Sequence, residues 1–177
     1  MDAQIDNFAN TRQDIISGIG IPAALKLLNR ALFSVTIGSN DFINNYLAPI
    51  ISEAERKSIP PETFVGILIA RFRLQITRLY NLGAKKIVMV NVGPIGCIPY
   101  QREVNRVADP DRVAGRYGGL IPCGPQPSKV CVNRSQYVFW DAYHPSDASN
   151  VIIARRLLYG NSSDISPMNI VQLLQAS

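Results

Sequence analysis

The sequence predicts an α/β fold with a mostly parallel sheet, and three observations lead to it. Two short apolar runs, residues 31–37 and 85–91, lack strict alternation, as expected of parallel strands that are covered on both faces. Each run is followed by a turn that contains glycine. Between them, residues 61–82 carry apolar side chains at helical intervals. Strand, helix and strand in this order form a βαβ unit, which is almost always right-handed.

Three further helices are predicted from apolar residues that recur at helical spacing. They cover residues 2 to about 17, about 22 to 30, and 148 to 158. Ser146 or Asp147 can cap the last of these helices, and Gly160 can end it. We therefore expect the segment just before residue 148 to be held at a helix amino terminus.

Composition places the chain among globular proteins. Its 177 residues are 47% hydrophobic and 18% charged, which suits a single domain with a real core. The net charge of +5 comes from scattered Lys and Arg residues without a basic stripe, which argues against a nucleic-acid partner. Arg71 and Arg73 interrupt the most hydrophobic segment, so no run approaches the roughly 18 apolar residues of a membrane helix.

The amino terminus and two short motifs point to different compartments. Residues 1–6 have no basic start and no continuous apolar core, so the terminus as written is not predicted to be a secretory signal. Asn133 and Asn161 each begin an Asn-x-Ser sequence, which accepts N-linked glycans only in a secreted protein. The sequence alone leaves the compartment open.

The three cysteines allow two interpretations. Cys123 and Cys131 flank a Pro-rich loop and can pair in an oxidising compartment, which leaves Cys97 without a partner. The alternative is three reduced thiols. One histidine with three dispersed cysteines lacks the clustered pairs that zinc favours, so we expect no metal site and no cofactor.

A short run at residues 137–147 holds the only histidine of the chain, three residues after a carboxylate. We expect the apolar aromatic run that ends at Asp141 to be a short buried strand or extended segment. Pro145 disfavours helical geometry at His144, so a tight loop is predicted there. In such a loop a carboxylate can hold one ring nitrogen while the other takes a proton from a hydroxyl nucleophile. The alternative is a structural hydrogen bond between neighbouring side chains.

Residues 101–136 are an irregular link rich in proline and glycine, without a sustained helical or strand period. A structureless connection of more than about 20 residues is unusual inside a compact domain. A parallel crossover at this place should contain a helix. We therefore predict an internal deletion in this link.

Three blocks of the sequence resemble, in order, the later blocks of the plant GDSL-type esterase/lipase family, which belongs to the SGNH hydrolases. They are FSVTIGSNDF at 33–42, GAKKIV at 83–88 leading to GCIP at 96–99, and FWDAYHPS at 139–146. The resemblance implies a three-layer flavodoxin-like fold and hydrolysis of carboxylic esters, including lipid esters, through a serine nucleophile. It also suggests an extracellular protein, although the chain as written would stay in the cytoplasm.

The same resemblance implies roles for four residues. His144 resembles the general base, Asp141 its orienting carboxylate, and the Asn40 side chain a donor of the oxyanion hole, while Gly38 lets the backbone turn sharply. The alternative for Asn40 is a turn residue that bonds to nearby backbone. The turns at 38–41, at Gly93 and at 141–144 each follow the end of a predicted strand. The ends of parallel strands meet at one edge of a sheet, so we expect these turns to face one another.

The chain departs from the family pattern at the nucleophile. The family's opening Gly-Asp-Ser-Leu block and the following glycine-bearing block are absent, and Ser17, Ser39 and Ser146 lack the context of a nucleophile turn. We therefore expect residues 1–177 to form a single incomplete hydrolase domain that is inactive alone. The alternative is a non-catalytic remnant that binds a lipid, an ester or a protein partner. A third alternative is a chain that does not fold stably, because the missing first strand leaves exposed edges in the sheet. The sequence does not determine the oligomeric state.

Overall fold

The computed structural model describes residues 1–48, 58–104 and 133–176. Two compact units make up the chain, one formed by Met1–Val92 with Ala176–Ser177 and the other by Gly93–Gln175. Among the described residues, none of the helices has both the length and the apolar character needed to cross a membrane.

The first unit contains the predicted βαβ arrangement. Outside residues 49–57, its helices are α1 (Asp2–Ile19), α2 (Ile21–Arg30) and α3 (Pro61–Asn81), and its strands are β1 (Leu32–Thr36) and β2 (Lys86–Val90). A π-helical turn covers Asp41–Tyr46. The two strands are parallel, with Phe33 opposite Ile87 and Val35 opposite Met89. The α/β class, the parallel pairing and the crossover helix are thus confirmed.

Helix α1 contacts β1 through one pair of aromatic rings and α3 through two ion pairs. The Phe8 ring meets the Phe33 ring edge to face, with centroids 5.1 Å apart. Arg71 on α3 donates to Asp2 at 2.7 Å, and Arg78 on α3 pairs with Asp6. The core of this unit is made of Ile5, Ala24, Leu28, Leu79, Ala84 and Val88, all buried.

The expectation that both faces of the strands are covered is wrong for β1. Phe33 and Val35 are half-buried, whereas Leu32, Ser34 and Thr36 are exposed. Successive side chains of a strand point to opposite faces, so the described residues cover only one face of β1. In β2, Val88 is buried but Met89 is 56% exposed.

The part of the second unit that the structure describes contains short turns and three helices. A 3₁₀ turn at Ile95–Cys97 leads into α4 (Pro99–Val104), and a 3₁₀ turn at Arg134–Gln136 precedes α5 (Asp147–Tyr159) and α6 (Ile170–Gln175). Residues 105–132, which make up most of the predicted irregular link, lie outside the described residues, as do Cys123 and Cys131. Cys97 is exposed with a free thiol.

Both predicted ends of α5 are confirmed. Ser146 is its N-cap, and its hydroxyl accepts a hydrogen bond from the Ser149 backbone N–H at 3.2 Å. Gly160 ends the helix with φ of −65°, so no left-handed conformation is involved. A side chain there would meet the Arg156 carbonyl oxygen at 2.2 Å, so glycine is needed for close approach.

Gly38, at the end of β1, is expected to be intolerant of a side chain. Its φ is +119°, and an added Cβ would lie 2.8 Å from Cγ2 of Val92, a stiff β-branched residue. We predict that Gly38→Ala lowers the free energy of unfolding by about 1–3 kcal/mol, as measured by urea denaturation. Gly66 is a matched control in the same unit, because it lies inside α3 with open space around it. Gly66→Ala should raise stability by about 0.5–1 kcal/mol, and equal effects at both positions would contradict a special backbone requirement at Gly38.

Candidate active site

The segment that carries the only histidine folds back on itself as a tight loop. The Val138 carbonyl accepts from the Ser146 N–H at 2.7 Å, and the Trp140 N–H donates to the His144 carbonyl at 3.1 Å. One antiparallel bridge joins Phe139 to Pro145. The predicted loop at residues 141–144 is therefore confirmed, together with the start of the next helix after it.

Burial of this segment was predicted wrongly. Val138 and Trp140 form bends on either side of Phe139, and Val138 is 62% exposed and Trp140 is 57% exposed. Among the described residues, the segment pairs only through the isolated bridge from Phe139 to its own return at Pro145, so it is no buried strand.

The Asp141 carboxylate organises the loop by accepting three hydrogen bonds. Oδ1 accepts from the backbone N–H of Tyr143 at 2.7 Å and from that of His144 at 2.5 Å. Oδ2 lies 2.5 Å from Nδ1 of the His144 ring. The Asp141 side chain is only 9% exposed, so these three donors replace its contacts with water.

The electrostatic balance keeps Asp141 ionised. Burial acts to raise its pKa, but the hydrogen bonds from the His144 ring and from the backbone N–H groups of His144 and Tyr143 outweigh burial and lower the pKa. An ionised carboxylate can only accept, so Nδ1 of the neutral ring carries the proton. The Nε2 atom is then the nitrogen that is free to act as a base.

Aromatic rings flank the imidazole on the same loop. The His144 side chain is 67% exposed, with the Trp140 ring nearly parallel to it at a centroid distance of 6.0 Å and the Tyr143 ring at an angle 6.2 Å away. Tyr143 in turn contacts Tyr100, and burial with the nearby Tyr100 and Asp141 raises the pKa of Tyr143. The sequence analysis did not predict these aromatic neighbours of His144. For Trp140, the aromatic run that ends just before Asp141 could have indicated the contact.

Gly38 and Asn40 lie together in the other unit, where β1 ends. The Gly38 carbonyl accepts from the N–H groups of Asp41 at 3.1 Å and Phe42 at 3.4 Å, which closes the predicted sharp turn. Asn40 is exposed and precedes the π-helical turn, and its carbonyl accepts from the Asn45 side chain at 3.4 Å. Because Asn40 and His144 belong to different units, the convergence of their turns stays a prediction.

Metal ligation has no support in the described ranges. Within 1–48, 58–104 and 133–176, there is no group of three or more His, Cys, Asp or Glu side chains that could hold an ion.

The sequence profile of the GDSL-like lipase/acylhydrolase family matches residues 2–157, a span that includes both Asn40 and the Asp141–His144 loop. The chain belongs to this family. The resemblance that the three sequence blocks carry is thus confirmed.

Relatives in Arabidopsis thaliana support the same assignment. One GDSL esterase/lipase is 48% identical over 98% of this chain and 63% of its own length. Two others are each 36% identical over 98% of this chain, covering 63% and 60% of their own lengths. The chain thus spans about three fifths of the length of these GDSL relatives. No solved structure matches it.

The lowered pKa of Asp141 in this GDSL-family loop predicts how stability depends on pH. A carboxyl group with a pKa below its unfolded value of about 3.8 stabilises the fold at higher pH, and the contribution is lost as pH falls through the lowered pKa. At pH 7, Asp141→Asn should therefore cost about 1–3 kcal/mol of unfolding free energy. The cost should shrink below about pH 4 in urea denaturation experiments. A carboxyl carbon resonance of Asp141 that titrates at or above 3.8 would contradict the assignment.

Proposed function

We propose that this chain contributes the proton-transfer part of a carboxylic ester hydrolase site, with a small-molecule ester or lipid ester as substrate. The observation that carries the proposal is the Asp141–His144 pair, in which Oδ2 holds Nδ1 at 2.5 Å on an otherwise exposed ring. An imidazole fixed through Nδ1 presents Nε2 as a general base. The relatives named GDSL esterase/lipase point to the same chemistry.

The pair performs the proton transfers in both halves of this mechanism. His144 Nε2 takes the proton of a serine hydroxyl while the serine oxygen bonds to the ester carbonyl carbon, and Asp141 stabilises the imidazolium that forms. The same nitrogen returns the proton to the departing alcohol oxygen when the ester bond breaks. Water then attacks the acyl carbon while His144 Nε2 takes its proton. The bond between the acyl carbon and the serine oxygen breaks, His144 returns the proton to the serine oxygen, and the acid is released.

The serine nucleophile is proposed to lie outside these 177 residues. The family's Gly-Asp-Ser block is absent from the printed sequence. Ser146, the serine nearest to His144 in the sequence, is 3% exposed, and its hydroxyl donates to the Tyr137 carbonyl at 2.6 Å. Ser17 lies within α1, away from any strand-to-helix turn. Without a nucleophile, the base has no hydroxyl to activate, so the chain alone is proposed to be inactive.

Asn40 is proposed as an oxyanion-hole donor, supported by its exposure directly after the Gly38 turn. An amide placed where negative charge develops stabilises the transition state without having to reorganise. Gly38 supports this role by its φ of +119°, which sets the direction in which the following residues leave β1. The role requires the turn at Asn40 and the His144 loop to face one substrate, as the sequence predicts.

The complete domain is proposed to have a three-layer flavodoxin-like sheet and to be extracellular, as the family resemblance implies. The parallel pair β1–β2 supports the first part. The match to the 48% identical relative extends over 234 residues, more than this chain contains, so that relative has residues inside the matched region without a counterpart here. This supports the proposal of an internal deletion in residues 101–136.

Ester turnover tests the proposed function. The 177-residue chain alone should hydrolyse p-nitrophenyl butyrate no faster than its His144→Ala variant. Joined to the part of the 48% identical Arabidopsis relative that the match leaves uncovered, and with that relative's extra residues restored within residues 101–136, it should hydrolyse the ester. In the joined protein, His144→Ala should lower kcat by about 10²–10⁴-fold, because proton transfer is lost.

Circular dichroism of each variant provides the control for folding. Turnover by the chain alone that disappears with His144→Ala would place the nucleophile inside the 177 residues. A folded joined protein with no turnover would contradict the hydrolase proposal and favour a remnant that only binds a lipid, an ester or a protein.

The role of Asn40 predicts a separate kinetic signature. In the joined protein, Asn40→Ala should lower kcat for p-nitrophenyl butyrate by about 10²–10³-fold with little change in KM, because the lost hydrogen bond forms only as charge develops. Asn45→Ala is a matched control, since it removes an amide side chain from the π-helical turn that begins directly after Asn40. Equal effects of the two substitutions would indicate that Asn40 serves the turn alone.

A further inference from the structure

Ser146 connects the His144 loop to the helix that follows it. Its backbone N–H donates to the Val138 carbonyl at 2.7 Å, and its hydroxyl donates to the Tyr137 carbonyl at 2.6 Å. The same hydroxyl oxygen accepts from the Ser149 backbone N–H at 3.2 Å. Ser146 is 3% exposed, so water does not compete for these bonds.

The loop needs such an anchor because its functional end is exposed. The His144 side chain is 67% exposed, and its ring contacts mainly residues of the same loop. The bond from the Trp140 N–H to the His144 carbonyl and the bonds from Ser146 to residues 137 and 138 hold the two arms of the loop together. Ser146 closes the base of the loop, and Asp141 holds its tip.

We propose that Ser146 is a positioning residue for His144, acting through the loop backbone and the Asp141 carboxylate. By holding the arms at a fixed spacing, it keeps Oδ2 of Asp141 on Nδ1 of the ring and leaves Nε2 free. The inference gives Ser146 a catalytic consequence only if the proposed role of His144 as base is correct. The ring orientation can nevertheless be measured without any ester.

The single histidine makes a direct test possible. In the uniformly ¹⁵N-labelled 177-residue chain, the two ring nitrogens of one imidazole can be read at a pH at which the spectrum shows a neutral ring. We expect separate signals for a protonated Nδ1 and a bare Nε2. In Ser146→Ala, exchange between the two tautomers should move these signals toward each other. Ser146→Thr keeps the hydroxyl and should restore the wild-type pattern.

A matched control separates positioning from loss of stability. Asn169 caps α6 in the same unit, with Oδ1 accepting from the Gln172 N–H at 2.9 Å. Asn169→Ala removes a side-chain cap of the same kind and should leave the His144 nitrogen signals unchanged. A folded Ser146→Ala variant with wild-type signals would overturn the proposal, as would an Asn169→Ala variant with the same change as Ser146→Ala.

If Ser146→Ala does not fold, amide hydrogen exchange in the unsubstituted chain decides the question. The N–H groups of Trp140 and Ser146 should be protected to the same degree, because the loop opens as one unit when its base opens. An unprotected Trp140 N–H beside a protected Ser146 N–H would overturn the proposal.

A proton on Nε2 in the unsubstituted chain would overturn both the positioning role and the base role. A joined protein without ester turnover but with the expected tautomer would overturn the hydrolase proposal alone.

Discussion

The Asp141 carboxylate is the group on which the arrangement around His144 depends. A carboxylate that is 9% exposed has lost most of its hydration, which is costly unless donors replace the water. The two backbone N–H groups of Tyr143 and His144 bind one oxygen, and the imidazole binds the other. The loop conformation that satisfies the charge is therefore the same conformation that orients the base. The structural requirement of the loop therefore coincides, at this carboxylate, with the requirement of the proposed catalytic role.

The amino terminus of α5 adds an opposing electrostatic contribution. Unpaired N–H groups give a helix start a partial positive charge, which disfavours an imidazolium close by. Ser146 caps one of these groups, and Asp147 places a carboxylate in the first turn. Asp141, which contacts the ring directly, supplies negative charge where the ring must stabilise a proton. The helix can thus hold the loop at its base without opposing the charge that forms when His144 accepts a proton.

Local features were predicted from the sequence much better than burial. Apolar periodicity predicted α1, α2, α3 and α5, and apolar runs predicted both strands, whereas α4 was not predicted. The Asp-x-x-His-Pro spacing predicted the loop at His144, because these patterns act within one turn of chain. Exposure of Val138 and Trp140 and the bare face of β1 could not be predicted this way, since they depend on which distant segments pack there. Gly160 is a third case. It was correctly predicted to end α5, but glycine is needed there because the Arg156 carbonyl oxygen lies too close for a side chain.

The same distinction separates the two halves of the candidate site. The hydrogen bonds that hold the His144 ring and close the base of its loop join residues 137–149, so forming them costs little loop entropy. The Tyr100 N–H adds one contact from farther along the chain by donating to the Ala142 carbonyl at 3.0 Å. Bringing Asn40 and a serine nucleophile to the same ester instead requires contacts between residues that are far apart in the sequence. A chain that spans about three fifths of the length of its relatives can therefore hold His144 in the orientation proposed for a base without the distant contacts that the proposed oxyanion donor and nucleophile require. The Asp141–His144 pair therefore shows that this loop has folded. Whether the complete proposed site is assembled depends on the contacts that bring Asn40 and a serine to the same substrate.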